Sequence, residues 1–223
     1  MIIEVFAKRL CGFLFLFILA TNAASVALGN EIGEDDSVAK LRMINDDPNK
    51  FQISIVLALI SHVSIVALAV MLYIVFSPYN KSLAFVGTIF RLGESLILIY
   101  NEINFLGLLN MAKEYAVAGD AEKIALSVSG RIILQTKNSG FTLAMSLLSI
   151  YALAYCILFL SSGAIPMMIG WLGLAASVLS VVGSGIKLVE PGFEILFTIG
   201  FLLMMLFEIT FGGWLLFYPH KIP

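Results

Sequence analysis

Apolar residues run in six long blocks separated by polar breaks, at residues 9–29, 51–76, 82–111, 141–160, 165–187 and 193–218. A helix rises 1.5 Å per residue, so about 20 mostly apolar residues cross the roughly 30 Å of hydrocarbon in a bilayer. Each block reaches that length. Lipid offers no water to backbone N–H and C=O groups, and an α-helix satisfies them within one segment. A membrane barrel would alternate apolar and polar residues over strands of about 10 residues, and these blocks do not. The expected fold is therefore all-α. It is a single polytopic transmembrane bundle over residues 1–223, with six spanning helices and a short amphipathic helix at the membrane surface.

The breaks refine this picture. Residues 30–50 hold Glu31, Glu34, Asp35, Asp36, Asp46 and Asp47 against Lys40, Arg42 and Lys50, and read as a solvated acidic loop. In the second long connection, 112–139, Ile124, Val128, Ile132 and Gln135 recur at helical spacing while Glu122, Lys123 and Arg131 stay polar. That pattern predicts the interfacial amphipathic helix, with a docking site for another protein as the alternative. The first block has two readings, because Lys8 and Arg9, then CGFLFLFILA, then TNAAS follow the basic, apolar and small-residue order of a signal peptide. Cleavage would leave five spans. Orientation is divided as well. With the N-terminus inside, Lys8, Arg9, Lys81 and Lys221 face the cytoplasm, and Lys40, Arg42, Lys50, Lys113, Lys123, Arg131, Lys137 and Lys187 face away from it. The plain count favours the reverse topology, while the two charges abutting the first span favour this one.

Composition agrees with a lipid solvent: hydrophobic residues make up 60 % of the chain and charged residues 13 %, against about half and a quarter in ordinary soluble domains. The net charge of −2 leaves no basic field to hold nucleic acid. The expected partners are the lipid bilayer and either a second membrane protein or another copy of the chain. Cys11 and Cys156 lie in apolar runs with no His or Cys at ligand spacing. No cofactor or metal is expected from the motifs.

Several stretches carry a resemblance: RLCGFLFLFILA in the first span, VMLYIVFSPYNKSLAFVGTIFRLGESLILIYN across the second connection and third span, SSGAIPMMIGWLGLAASVLSVVG around the fifth span, and EITFGGWLLF closing the sixth. The Tyr-x-x-x-Ser-Pro-x-Asn-Lys turn, the Phe-Arg-Leu-x-Glu after it and the Ser-Gly-x-Ile-Pro-x-x-x-Gly turn together resemble a prokaryotic family of multi-span membrane proteins, the domain of unknown function 4386. The resemblance covers nearly the whole chain and implies the architecture without a reaction. Relatives commonly place a basic residue after the proline of the later turn, where this chain has Met167 and Met168 after Pro166. That departure weakens the charge argument for orientation at this turn.

The third span carries the most informative chemistry. Arg91, Glu94, Asn101 and Glu102 interrupt an apolar helix and, at about 100° per residue, share one face within an arc of roughly 100°. A charge at mid-membrane costs from about 2.5 to over 10 kcal/mol, so this face should turn into the bundle or a water-filled cavity. Arg91 and Glu94, three apart, are placed to pair. The length of the block puts Asn101 and Glu102 near the far interface and leaves Arg91 and Glu94 as the buried pair. Glu208 in the sixth span is a second counter-charge for Arg91, and His62 in the second span is a further member of the candidate site.

In the fifth span Gly173, Ser177, Ser180 and Ser184 form a stripe that allows close helix approach, within the bundle or in a homodimer. Trp171, Trp214, Tyr79 and Tyr218 sit near span ends, as interfacial anchors do. The chain has no Gly-rich phosphate loop, His-Glu-x-x-His or Gly-x-Ser-x-Gly, and only two histidines, one of them His220. Serines such as Ser149 and Ser180 have no evident base, so an enzyme is not expected. Two readings of function stand open. One is a multi-pass protein that binds or moves a small solute or ion at the polar face of the third span. The other is a non-catalytic structural or regulatory subunit of a membrane complex, with that face as a buried ion-pair network. The absence of an internal repeat argues against a transporter built from two halves.

Overall fold

A computed structural model describes residues 2–31, 36–190 and 192–218. Glu34, Asp35, His220 and Lys221 lie outside the described residues. Among the described residues the chain is helical with no strands, in eight helices: α1 (Ile2–Ala27), α2 (Ser37–Asp46), α3 (Pro48–Phe76), α4 (Lys81–Leu106), α5 (Leu108–Val117), α6 (Asp120–Ser162), α7 (Met167–Val189) and α8 (Ile195–Phe217). Six segments are long and apolar enough to cross a membrane: Val5–Ala27, α3, Lys81–Val117, α6, α7 and α8. The chain is thus an all-α multi-pass membrane protein.

The breaks between helices are set by local chemistry. Asp36 accepts the Val38 and Ala39 N–H groups at 3.0 Å each, and Asp47 accepts that of Lys50 at 3.0 Å, ahead of Pro48. Asn80 accepts the Leu83 N–H at 3.1 Å and opens α4. Each side chain satisfies a first-turn donor that the helix itself leaves without a partner. Gly163, at φ 66°, ends α6 in the left-handed conformation that glycine adopts without a Cβ penalty.

The six long helices close a ring in the order α1, α3, α4, α6, α7, α8, each packed on the next, with α8 returning to α1. Polar and small side chains set the contacts. Ser25 donates to the Ser54 carbonyl at 2.7 Å, Ser61 to that of Ile18 at 3.2 Å, and Ser95 to that of His62 at 2.7 Å, tying α1 to α3 and α3 to α4. The fifth-span stripe is buried inside the chain's own bundle, where Gly173 faces Cys156 and Phe207 and Ser180 faces Gly200. Outward faces are apolar, with Val63, Ile74, Phe85, Leu96 and Leu202 all more than half exposed, as lipid contact requires.

Three sequence expectations are corrected. Residues 30–50 are not a loop, because they contain α2, whose Lys40, Leu41 and Ile44 are buried. Two of the acids there are helix caps. The third block is not one continuous helix to Met111, since α4 ends at Leu106 and residues from Leu108 form α5, packed on α2. In the connection 112–139 the stretch from Ile124 to Gln135 forms no separate surface helix. From Asp120 the connection is the first half of α6, whose 43 residues extend roughly 65 Å. The stripe Gly130, Leu134 and Lys137 faces inward, while Ile124, Val128 and Ile132 point out.

Candidate functional site

The turns at 77–80 and 163–166 lie at one end of the ring and α2 and α5 at the other. At the turn end Phe15, Phe76, Phe159 and Phe211 fill the interior, with ring centroids 4.8 Å apart for Phe76 and Phe159, 5.0 Å for Phe159 and Phe211, and 5.4 Å for Phe15 and Phe211. Such edge-on and tilted packing closes this end to water.

Beyond the aromatic plug lies the first polar cluster. Arg91 Nη1 donates to both carboxylate oxygens of Glu94, at 3.1 and 2.9 Å, and Nη2 donates to Glu208 Oε1 at 3.0 Å. The guanidinium also sits over the Tyr151 ring, 4.7 Å from its centroid, a favourable cation–π position. Arg91 is 1 % exposed, Glu94 2 % and Glu208 6 %. Charges this deep persist only when paired. One guanidinium here serves two carboxylates from two helices.

A second cluster lies toward α2 and α5. Asn30 Nδ2 donates to Glu102 Oε2 at 2.8 Å, and Lys137 Nζ donates to Asn30 Oδ1. Lys137 Nζ lies 3.6 Å from Glu102 Oε1 and over the Phe105 ring, and Asn101 Nδ2 donates to the Lys137 carbonyl at 3.2 Å. His62 Nε2 faces Glu102 Oε1 at 3.8 Å, beyond hydrogen-bonding distance. Asn30 is carried there by the reversal at Gly29, whose φ of 100° suits glycine. Lys40 reaches in from α2 to donate to the Gly29 carbonyl at 2.8 Å.

Both clusters border one cavity of about 490 Å³ inside the ring. Arg91, Glu94, Asn101, Glu102, Glu208 and His62 all line it, among mostly apolar side chains from α1, α3, α4, α6 and α8. The structure thus brings the six candidate residues together. It differs from expectation at Asn101 and Glu102, which are as buried as Arg91 and Glu94, at 4 % each. Their depth is near the far interface, but Asn30, Lys137 and α2 cover them. Two polar atoms in the lining have no hydrogen-bond partner among the described residues, His62 Nδ1 and Arg91 Nε.

Sequence reasoning missed Asn30, Lys137 and Tyr151. Lys137 was hidden because 112–139 read as a connection. The signal was present in Gly130, Leu134, Lys137, Phe141 and Leu148, which keep helical spacing straight through the assumed boundary, with no proline between 79 and 165. Ser149, one of the serines without an evident base, donates to the Met145 carbonyl at 2.6 Å, as helix serines do. Cys11 and Cys156 are free and buried.

A family model for a domain of unknown function, DUF4386, matches residues 10–218. No curated protein and no solved structure matches the chain. The motifs that carried the resemblance hold structural positions in the fold: Asn80 caps α4, Gly163 ends α6, and Arg91 and Glu94 of the Phe-Arg-Leu-x-Glu stretch form the central ion pair. With nearly its whole length matched and its turn and ion-pair motifs in place, the chain belongs to the DUF4386 family of multi-span membrane proteins.

Proposed function

We propose that this protein resides in the cell membrane and binds or moves a small solute or ion in the cavity bordered by Arg91, Glu94, Glu208 and His62, without catalysing a reaction on it. The observation that carries the reading is the convergence of buried charge on a cavity rather than on packed side chains. A purely structural network gains most when every polar atom is satisfied, and two buried polar atoms of the lining residues have no partner among the described residues. Intramembrane charge that faces a cavity is the usual mark of a solute or ion path.

Native mass spectrometry of the protein gently extracted from its own membrane tests this. The expected result is a bound small molecule that is lost on Glu94→Gln or His62→Ala while the folded yield holds. A ligand-free protein carrying only a stoichiometric partner would instead make the charged network structural.

One observation favours the second reading, a subunit of a membrane complex. Ile124, Val128 and Ile132 are exposed at 67 %, 54 % and 58 % on the part of α6 that precedes its roughly 20-residue membrane crossing. A photo-crosslinker at Val128 would capture a defined protein partner if this reading holds, and only lipid if it does not.

A further inference from the structure

The cavity carries unbalanced charge at one end and opens on one side, and together these narrow the ligand. Glu94 and Glu208 share the single guanidinium of Arg91, so with both carboxylates ionised this end holds one negative charge in excess. At the other end Lys137 faces Glu102, so that pair is balanced. The excess negative charge is therefore confined to the mid-depth end. His62, 5 % exposed, lines the same cavity, and its Nδ1 has no hydrogen-bond partner among the described residues. A carboxylate excess calls for a cationic donor.

The opening lies between α1 and α8. At the turn end these helices touch closely, since a Cβ added at Gly12 would lie 2.5 Å from the Gly212 carbonyl oxygen. Toward α2 they part. There the cavity is bordered by Ala23 and Val26 of α1, which are exposed, and by Phe201 and Met205 of α8, which are half-buried. Phe201 and Met205 lie about 9 and 15 Å inside the start of α8 at 1.5 Å per residue. The mouth thus faces acyl chains, and its rim is largely apolar.

Resting on the ligand-binding reading above, we infer that the ligand is an amphiphilic organic cation, an amine with an apolar body, which reaches the cavity sideways from the bilayer between α1 and α8. The ammonium offsets the excess of Glu94 and Glu208 and donates to their carboxylate oxygens. The apolar body is matched by Ile65, Leu98, Met145 and Met204 in the lining.

Three probes with one chain and different heads separate the possibilities: octylammonium, octanoate and octanol, added to the full-length protein in lipid nanodiscs and read by native mass spectrometry. Octylammonium should bind at least about tenfold more tightly than the other two, as expected for a charge-assisted contact. Glu208→Gln, which leaves Arg91 paired to Glu94, should abolish that preference, and Glu122→Gln, exposed on α6, should preserve it. Ala23→Trp or Val26→Phe at the mouth should slow uptake several-fold. Equal binding of octylammonium and octanol means that a proton on a carboxylate balances the charge, and overturns the cation. Preference for octanoate, or for a water-soluble solute in the native extract, also overturns it and leaves the cavity a ligand site. Uptake unchanged by both mouth substitutions overturns the lateral route. No binding of any probe, with an empty native extract, removes the underlying reading as well.

Discussion

At the scale of single residues, the two partners of Arg91 are not equivalent. Glu94 holds it through both oxygens from the same helix, while Glu208 reaches it from α8 through one. Removing the cation by Arg91→Gln leaves two buried carboxylates facing each other, which costs about 3–5 kcal/mol by analogy with other broken buried pairs. Glu208→Gln leaves the bidentate pair intact and costs less. Denaturant titration in a fixed detergent checks the order, and equal losses would contradict it. Lys137 and Glu102 give a second test. Each single change, Lys137→Met or Glu102→Gln, strands a buried charge, so the double variant should be more stable than the sum of the two losses predicts. The expected coupling is about 0.5–3 kcal/mol in a double-mutant cycle.

At the scale of helices, close approach decides which glycines tolerate a methyl group. A Cβ at Gly200 would lie 2.7 Å from the Ser180 Cα, and one at Gly183 would lie 2.6 Å from the Leu196 carbonyl carbon. These neighbours are backbone and cannot rotate away. Gly200→Ala and Gly183→Ala should each cost about 1–3 kcal/mol by forcing α7 from α8. Gly213→Ala, with open space around its Cβ position, should be close to neutral in the same melting assay. The first helix carries a different expectation. It supplies Gly12 and Phe15 to the α8 contact, Ser25 to α3 and borders the cavity, so the membrane-resident protein should keep it. Intact mass of protein isolated from the membrane checks this, and a species cut near residue 24 would contradict it. How much of the helices was legible follows from the same contacts. Spans were readable because hydropathy reports the solvent, and the charged face of α4 was readable because a mid-membrane charge has few places to turn. The split at Gly107 and the continuity of α6 were not, since helix direction outside lipid is fixed by α2 packing on α5 and α6, a tertiary choice that composition does not encode.

At the scale of the molecule, the ring is asymmetric along its length. Aromatic rings fill the turn end, the Asn30, Glu102 and Lys137 network covers the other, and the cavity lies between them. The sequence carried the charged face of α4 but not its setting, because Asn30 and Lys137 meet Glu102 across 72 and 35 residues of chain and no local pattern joins them. On the function proposed above, this face borders an accessible cavity rather than a sealed ion-pair core. A cysteine at Leu98, 7 % exposed yet in the cavity lining, measures that directly, against one at Leu96, 65 % exposed to lipid. With Cys11 and Cys156 replaced by alanine, methyl methanethiosulfonate should modify Leu98→Cys readily and Leu96→Cys slowly, because the reactive thiolate forms where water and polar groups reach it. If Leu98→Cys is as inert as Leu96→Cys, the cavity is closed and the charges of α4 serve only to hold the ring together.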